Sequence, residues 1–156
     1  MNYMNTSVNN IYSEFYYNTS SNDSSITNFS YNNISESNIN AINLVKSYSG
    51  LPFNWDSYNA IPPGKQAIQK AITFILWLSE FNIDVFFVAP TPNGEILVEI
   101  KKGNSNVEFE FSSDSEDSIC ASHEGDFMAE EVLNDTTQIS YLKWLICSNG
   151  NCPPNL

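Results

Sequence analysis

The fold is decided by residues 96–111, which read ILVEIKKGNSNVEFEF. In this stretch apolar side chains alternate with polar or charged ones on either side of a turn at residues 102–104. The apolar set is Ile96, Val98, Ile100, Val107, Phe109 and Phe111. A two-residue period is typical of strands that bury one face and keep the other in water. Residues 96–111 therefore predict two antiparallel strands, apolar on one face and charged on the other.

Segments on either side of this pair also favour extended chain. Residues 85–88 are rich in β-branched and aromatic side chains and predict a strand that ends at Pro90. The Asn93-Gly94 pair predicts a tight hairpin turn, because both residues readily take positive φ. Residues 118–122 indicate a fourth strand, whose length the sequence leaves open. We therefore expect an antiparallel β-meander of three to four strands.

Apolar side chains at three- and four-residue spacing predict three helices. The strongest pattern covers residues 66–81. A shorter helix is predicted from Ser37 to Gly50, with an inner side formed by Ile39, Ile42, Leu44 and Val45. A last helix is predicted to begin with Asp135 as its N-cap and Gln138 three positions later, followed by a stripe of Ile139, Leu142, Leu145 and Ile146. The fold class is α+β: the meander packs against an N-terminal helix pair and a C-terminal helix.

The chain divides into three parts by composition. Residues 1–35 are rich in Asn and Ser, keep neither a helical nor a strand period, and predict a disordered tail. Residues 36–148 predict a single α+β domain, and residues 149–156 a loose C-terminal end. With 42% apolar residues among 156, one core can form without metals or disulfides.

The charge balance restricts the partners. Six lysines, no arginine and eighteen acidic residues give a net charge of −12. Such a surface repels phosphates, which disfavours direct binding to nucleic acid or to a membrane surface. The sequence has neither an apolar run of about 20 residues nor an N-terminal signal pattern, so we predict a cytoplasmic protein.

The residues that usually carry metal or catalytic chemistry are few. Cys120, His123, Cys147 and Cys152 could supply a zinc site, yet residues three apart on a strand point to opposite faces. His123 is the single histidine, and neither a nucleophile motif nor a phosphate-binding glycine loop accompanies it. We therefore predict reduced thiols, no cofactor and no enzymatic activity, and keep a zinc protein or hydrolase using Cys120 and His123 as an alternative.

Two groups of residues are candidates for binding a partner. Trp55 and Tyr58 in the loop of residues 51–60 could anchor a partner, or Trp55 could plug the end of the core. Between Gly103 and Asp135 lie ten carboxylates and no lysine. The predicted partner-binding set joins both groups: Trp55, Tyr58, Glu108, Glu110, Asp114, Glu116 and Asp117. Two interpretations of the acidic stretch are equally supported by the sequence: it attracts a basic protein, or it serves solubility alone.

The loop and the hairpin also carry a family resemblance. The segments concerned are Phe53-Asn54-Trp55-Asp56-x-Tyr58-x-Ala60, Pro62-Pro63 and Pro90-Thr91-Pro92-x-Gly94. Within residues 51–100 the chain resembles a loose set of small uncharacterised bacterial proteins, which share an Asn-Trp-Asp-x-Tyr-Gly-Ala-like opening and a Pro-Thr-Pro-x-Gly hairpin. It departs from them at Asn59, where glycine is usual. The resemblance implies an α+β fold, an association with toxin or defence neighbourhoods, and no established activity.

Three functional hypotheses follow from the sequence. The first is a non-enzymatic acidic interaction module, such as a neutraliser or accessory subunit of a basic toxin or defence effector. The second is a nucleic-acid mimic that blocks a DNA- or RNA-binding protein. The third is the zinc protein or hydrolase built on Cys120 and His123. The sequence does not indicate the oligomeric state.

Overall fold

The computed structural model describes residues 34–147. The predicted tail, except for residues 34–35, and the predicted loose end lie outside the described residues, as do Cys152 and the side chain of Cys147. The described elements are α1 (Glu36–Ser47), a 3₁₀ turn (Tyr48–Gly50), α2 (Lys65–Glu80), β1 (Phe87–Pro90), β2 (Ile96–Lys102), β3 (Ser105–Phe111), β4 (Ser118–His123), β5 (Asp126–Val132) and α3 (Asp135–Cys147). None of these helices combines the length and apolarity needed to cross a bilayer.

The strands form one antiparallel sheet in the order β1-β2-β3-β4-β5, in which each strand pairs with the next along the chain. The predicted α+β meander with helices on both its N- and C-terminal sides is confirmed. The sheet has five strands where three to four were predicted. β5 escaped prediction because its sequence, DFMAEEV, does not alternate, and because its register against β4 shifts at Ala121/Ser122.

One face of the sheet is apolar and carries the helices. Val98, Phe109 and Ile119 lie side by side on three strands and are fully buried. On α2, the ring of Phe74 packs against them, with its centroid 4.3 Å from that of Phe109. The buried side chains of α3 that complete this core are Tyr141, Leu142, Trp144 and Leu145. Burial of so many apolar side chains on one face is the main stabilising term of the fold.

A buried amide fixes the position of α1. The side chain of Asn38 is 1% exposed. Its Nδ2 donates to Ser79 Oγ and to the carbonyl of Ile83, both at 2.9 Å, and its Oδ1 accepts from the Val85 amide at 2.8 Å. Because this anchor fixes the orientation of α1, the buried residues of the helix are Asn38, Ala41, Ile42 and Val45. The prediction that Ile39 and Leu44 face inward was therefore wrong, and both are exposed.

The turn between β1 and β2 is wider than the predicted two-residue hairpin. Five residues, 91–95, connect the strands, and of the Asn93-Gly94 pair only Gly94 has positive φ, at 84°. The preceding loop explains the difference, because the Ile61 amide donates to Pro92 O and the Gly64 amide to Gly94 O. A side chain at position 94 would also approach the carbonyl oxygen of Pro62 to 3.1 Å. The turn is thus shaped by its contact with residues 61–64.

The last helix begins one residue earlier than its predicted cap implied. The Oδ1 of Asn134 accepts from the amides of Thr136 and Thr137, at 2.9 and 3.1 Å. In return, the hydroxyl of Thr137 accepts from the Asn134 amide at 2.9 Å. Asn134 and Thr137 thus exchange hydrogen bonds as the two ends of a capping box do, and the prediction of Asp135 as N-cap was wrong.

Candidate binding surface

The sheet face opposite the helices carries most of the acidic residues on the strands. We call this surface the outer sheet face; it is formed by Phe87, Ala89, Leu97, Glu99, Lys101, Asn106, Glu108, Glu110, Ser118, Cys120, Ser122, Phe127, Glu130 and Val132. Within it, Glu99, Glu108, Cys120 and Glu130 stand directly opposite one another on four neighbouring strands. These four residues are the carboxylate row. Three negative charges therefore cross the sheet in line, with one thiol between them.

Crowding of like charges perturbs the outer sheet face. Partial burial, and next the charge of Glu108, raises the pKa of Glu99, which Lys101 and Asn106 offset in part. Partial burial, and next the charge of Glu95, raises the pKa of Glu110. Like charges directly opposite each other in a sheet are destabilising. The outer sheet face is therefore arranged at a cost to the stability of the protein.

Cys120 lies between these carboxylates. Burial, and then the charges of Glu108, Glu130 and Glu110, raises the pKa of its thiol to about 11. A thiol with this pKa is protonated at neutral pH, whereas nucleophilic attack and metal binding need the thiolate. At neutral pH Cys120 is thus a protonated and weakly nucleophilic thiol in an acidic environment.

His123 is separated from Cys120 by the sheet. Its Nδ1 lies 2.8 Å from the hydroxyl of Ser105, on the face that carries the helices. Across residues 34–147, no three His, Cys, Asp or Glu side chains are grouped so that they could hold a metal ion. The geometry therefore gives the zinc alternative no support from Cys120 and His123, while the side chain of Cys147 and all of Cys152 lie outside the described residues.

The lysines near the outer sheet face are engaged by other groups. Lys101 lies over the ring of Phe86, with Nζ 5.0 Å from the centroid. Lys102 donates to the carbonyl of Ile146 at 2.5 Å. In the described part of the chain, the single ion pair joins Lys70 to Asp117 at 2.9 Å. None of these lysines forms an ion pair with the carboxylate row.

The acidic turn of residues 112–117 divides into two kinds of carboxylate. Asp114 and Glu116 are exposed. Asp117 accepts from the Ser112 amide at 2.8 Å and from Lys70, which also donates to the carbonyl of Ser112. Asp117 therefore ties the turn to α2, and its charge is compensated within the molecule. Of the five carboxylates predicted to bind a partner, Glu108 and Glu110 lie on the outer sheet face.

The aromatic loop holds itself in shape with its own side chains. Asp56 Oδ1 accepts from the amides of Tyr58 and Ala60, at 2.7 and 3.1 Å. Trp55 is half-buried and donates from Nε1 to the carbonyl of Ile61 at 3.2 Å. Tyr58, in contrast, is 86% exposed. The loop thus presents Tyr58 to solvent and uses Trp55 as a partly buried support.

Asn59, the position at which the loop departs from the predicted resemblance, has an unusual backbone conformation. Its φ is 70°, in the left-handed region. Glycine takes this conformation at no steric cost, and asparagine more readily than other residues with a side chain. Asn59 thus holds a conformation that glycine would also adopt.

Glu99, Cys120 and Glu130 were not among the predicted partner-binding residues, and Cys120 was considered only as a zinc ligand or catalytic residue. Alternation alone places Glu99 on the charged face of β2. Its position opposite Glu108 depends on the register of β2 with β3, and that of Glu130 on a strand that was not predicted. The sequence thus carried a signal for β2 and β3, but none for β5 or for the pairing between strands.

Comparison of the chain with protein-family models, curated proteins and solved structures finds no match.

Proposed function

We propose that this protein is a non-enzymatic interaction module that binds a basic protein through its outer sheet face. The observation that supports it most is the carboxylate row, in which Glu99, Glu108 and Glu130 are brought into line across four strands. The described helices pack on the opposite face and leave this row open.

Relief of repulsion is the physical basis of the proposal. Partial burial already weakens the hydration of Glu99 and Glu110, and neighbouring carboxylates add repulsion. Lysine or arginine side chains of a partner would convert this repulsion into attraction. The same field would speed up the encounter with a positively charged protein, an effect that falls as salt rises.

The biological setting we propose is a neutraliser or accessory subunit of a basic toxin or defence effector. Two features support it: the net charge of −12 and the resemblance of residues 51–100 to proteins of such neighbourhoods. Tyr58 would add an exposed aromatic contact to the charged one, since tyrosine is frequent among residues that dominate binding energy.

Matched charge variants test the proposal. Glu99→Gln/Glu108→Gln removes two charges from the carboxylate row, and Glu36→Gln/Glu80→Gln removes two exposed charges from α1 and α2. Each variant and the wild type would be immobilised and exposed to lysate of the native host. We expect a basic protein to be retained by the wild type and the helix variant but lost with the row variant. Equal retention by both variants would overturn the proposal.

A nucleic-acid mimic is the second candidate, favoured by the alignment of negative charges in the row. Neighbouring strands are about 4.8 Å apart. Glu99 and Glu108 are therefore one strand spacing apart and Glu108 and Glu130 two, so the row presents a line of negative charges, as a nucleic-acid backbone does. Adding duplex DNA or structured RNA to the retained complex separates the two candidates. Competitive release of the partner indicates a mimic, whereas a complex unaffected by nucleic acid indicates a separate protein-binding surface.

A further inference from the structure

The two edges of the sheet differ in how they are protected. At β1 the hydroxyl of Tyr48 donates to the carbonyl of Val88 at 3.0 Å, and the strand ends in Pro90, which has no amide hydrogen. β5, at the other edge, pairs with β4 alone among the described strands. It contains neither lysine nor proline, the residues that commonly block an edge. β5 is therefore the open edge of the described sheet.

The hydrogen-bond pattern identifies which backbone groups of β5 face outward. The Leu133 amide donates to Asp117 O at 2.8 Å, which makes these two residues a hydrogen-bonded pair. Such pairs alternate with non-bonded pairs in an antiparallel ladder. Glu131 is thus bonded to Ile119, while Glu130 and Val132 direct their amide and carbonyl groups away from β4. The Val132 carbonyl, however, already accepts from Thr137 Oγ1 at 3.0 Å and from Asn134 Nδ2 at 3.3 Å. Two donors, the amides of Glu130 and Val132, and one acceptor, the carbonyl of Glu130, therefore remain available at this edge.

The charge of β5 selects the kind of strand that can pair with it. Asp126, Glu130 and Glu131 make the edge acidic, so a second copy of this chain would place like charges against one another. Glu130 also ends the carboxylate row, and a strand added beyond it would extend that row by one position. Val132, 49% exposed, lies two residues away on the same face. A basic side chain opposite Glu130 and an apolar one opposite Val132 would complement both.

We propose that the free edge of β5 accepts an extended segment of the basic partner as a sixth strand, with lysine or arginine opposite Glu130 and an apolar residue opposite Val132. This inference rests on the proposed function and names the mode of binding. Main-chain hydrogen bonds supply affinity in strand addition, and alternate side chains supply specificity.

The probe is a fluorescently labelled nonapeptide, Thr-Lys-Thr-Val-Thr-Lys-Thr-Val-Thr, with anisotropy as the readout. Its lysines and valines alternate along one face of a strand, because side chains two positions apart share a face. Val132→Pro removes an outward amide that the β4 ladder does not use, while Val132→Thr keeps this amide and loses apolar surface. We expect Val132→Pro to weaken binding about tenfold or more and Val132→Thr by less than about threefold. In the wild type, the amides of Glu130 and Val132 should become protected from hydrogen exchange when the peptide binds, a readout that does not depend on the folding of the proline variant.

The remaining outcomes separate this inference from the proposed function. Equal binding by wild type, Val132→Pro and Val132→Thr, together with weakened binding by Glu99→Gln/Glu108→Gln, would overturn strand addition and leave the outer sheet face as the binding surface. No protection of Glu130 and Val132 at a saturating peptide concentration, or no binding at all, would also overturn strand addition. If the free protein forms a dimer and Val132→Pro abolishes this dimer, the edge of β5 binds a second copy of the chain instead.

Discussion

At the scale of single residues, Asn38 joins α1 to the end of α2 and to the segment before β1. Its buried amide makes three hydrogen bonds, to Ser79, Ile83 and Val85. Asn38→Leu would leave the Val85 amide and the Ile83 carbonyl without these partners, so we expect a loss of about 2–4 kcal/mol in the free energy of unfolding. Urea denaturation measures this loss, with Asn40→Leu as the control, since Asn40 is exposed on the same helix. Equal stability of the two variants would contradict the role of Asn38.

Cys120 offers a second test at this scale, because its reactivity reports the charges around it. With Cys147 and Cys152 replaced by serine, reaction of the remaining thiol with an aromatic disulfide can be followed against pH. A pKa of about 11 predicts that the rate still rises above pH 9, whereas an ordinary cysteine levels off above about 8.5. Glu108→Gln should lower this pKa and raise the rate at pH 8. An unchanged rate in Glu108→Gln would show that the carboxylate row does not act on Cys120.

At the scale of elements, the start of α3 distinguishes two adjacent side chains. Asn134 caps the helix through its Oδ1, whereas Asp135 is the first helical residue and is exposed. Removal of a side-chain cap costs about 1 kcal/mol, so Asn134→Ala should lower the free energy of unfolding by about this amount and Asp135→Ala by less. Chemical denaturation of both variants measures these losses and shows which residue is the N-cap. A larger loss of stability in Asp135→Ala than in Asn134→Ala would indicate that Asp135 is the N-cap, as the sequence predicted.

The elements also show which parts of the structure the sequence could predict. β2 and β3 were predicted because their alternating residues bury one face and their turn carries Gly103. β5 was not, because an edge strand needs no regular alternation to be stable once β4 is in place. The inner side of α1 was misplaced because a polar residue, Asn38, occupies the core and redirects the helix. Long-range hydrogen bonds of this kind leave no local pattern in a sequence.

The residues of the candidate surface, too, could be predicted from the sequence only in part. Glu108 and Glu110 could be predicted because alternation within β3 puts both on its charged face. Their alignment with Glu99 and Glu130 could not, since it depends on register across four strands. Asp117 was predicted as a partner contact from its acidic neighbours, yet its position beside Lys70 follows from the packing of the turn against α2. Charge counts thus located the acidic region, and pairing between strands determined its geometry.

At the scale of the described domain, the sheet combines an apolar face that stabilises it with an acidic face that opposes folding. If the carboxylate row serves binding, its removal should stabilise the free protein. Glu108→Gln takes away the charge opposite Glu99, and we expect a gain of about 0.2–1 kcal/mol in the free energy of unfolding. The same substitution should weaken binding of the nonapeptide that carries lysine and valine on one face. Loss of stability in this variant would show that Glu108 has a structural role instead.

The acidic face also predicts how the stability of the whole domain depends on pH. The pKa values of Glu99 and Glu110 are raised above their ordinary value of 4.5, so near and above that pH the folded state holds more protons than the unfolded state. The stability that these groups contribute is complete below about pH 4.5 and is lost as pH rises through their folded pKa values. We therefore expect the melting temperature of Glu99→Gln/Glu110→Gln to fall less than that of the wild type between pH 5 and pH 7. Glu36→Gln/Glu116→Gln, which changes the net charge equally at exposed positions, should keep the slope of the wild type. If the melting temperatures of the two double variants changed equally with pH, the crowding of carboxylates on the outer sheet face would have no energetic consequence. That result would contradict the physical basis of the proposed function.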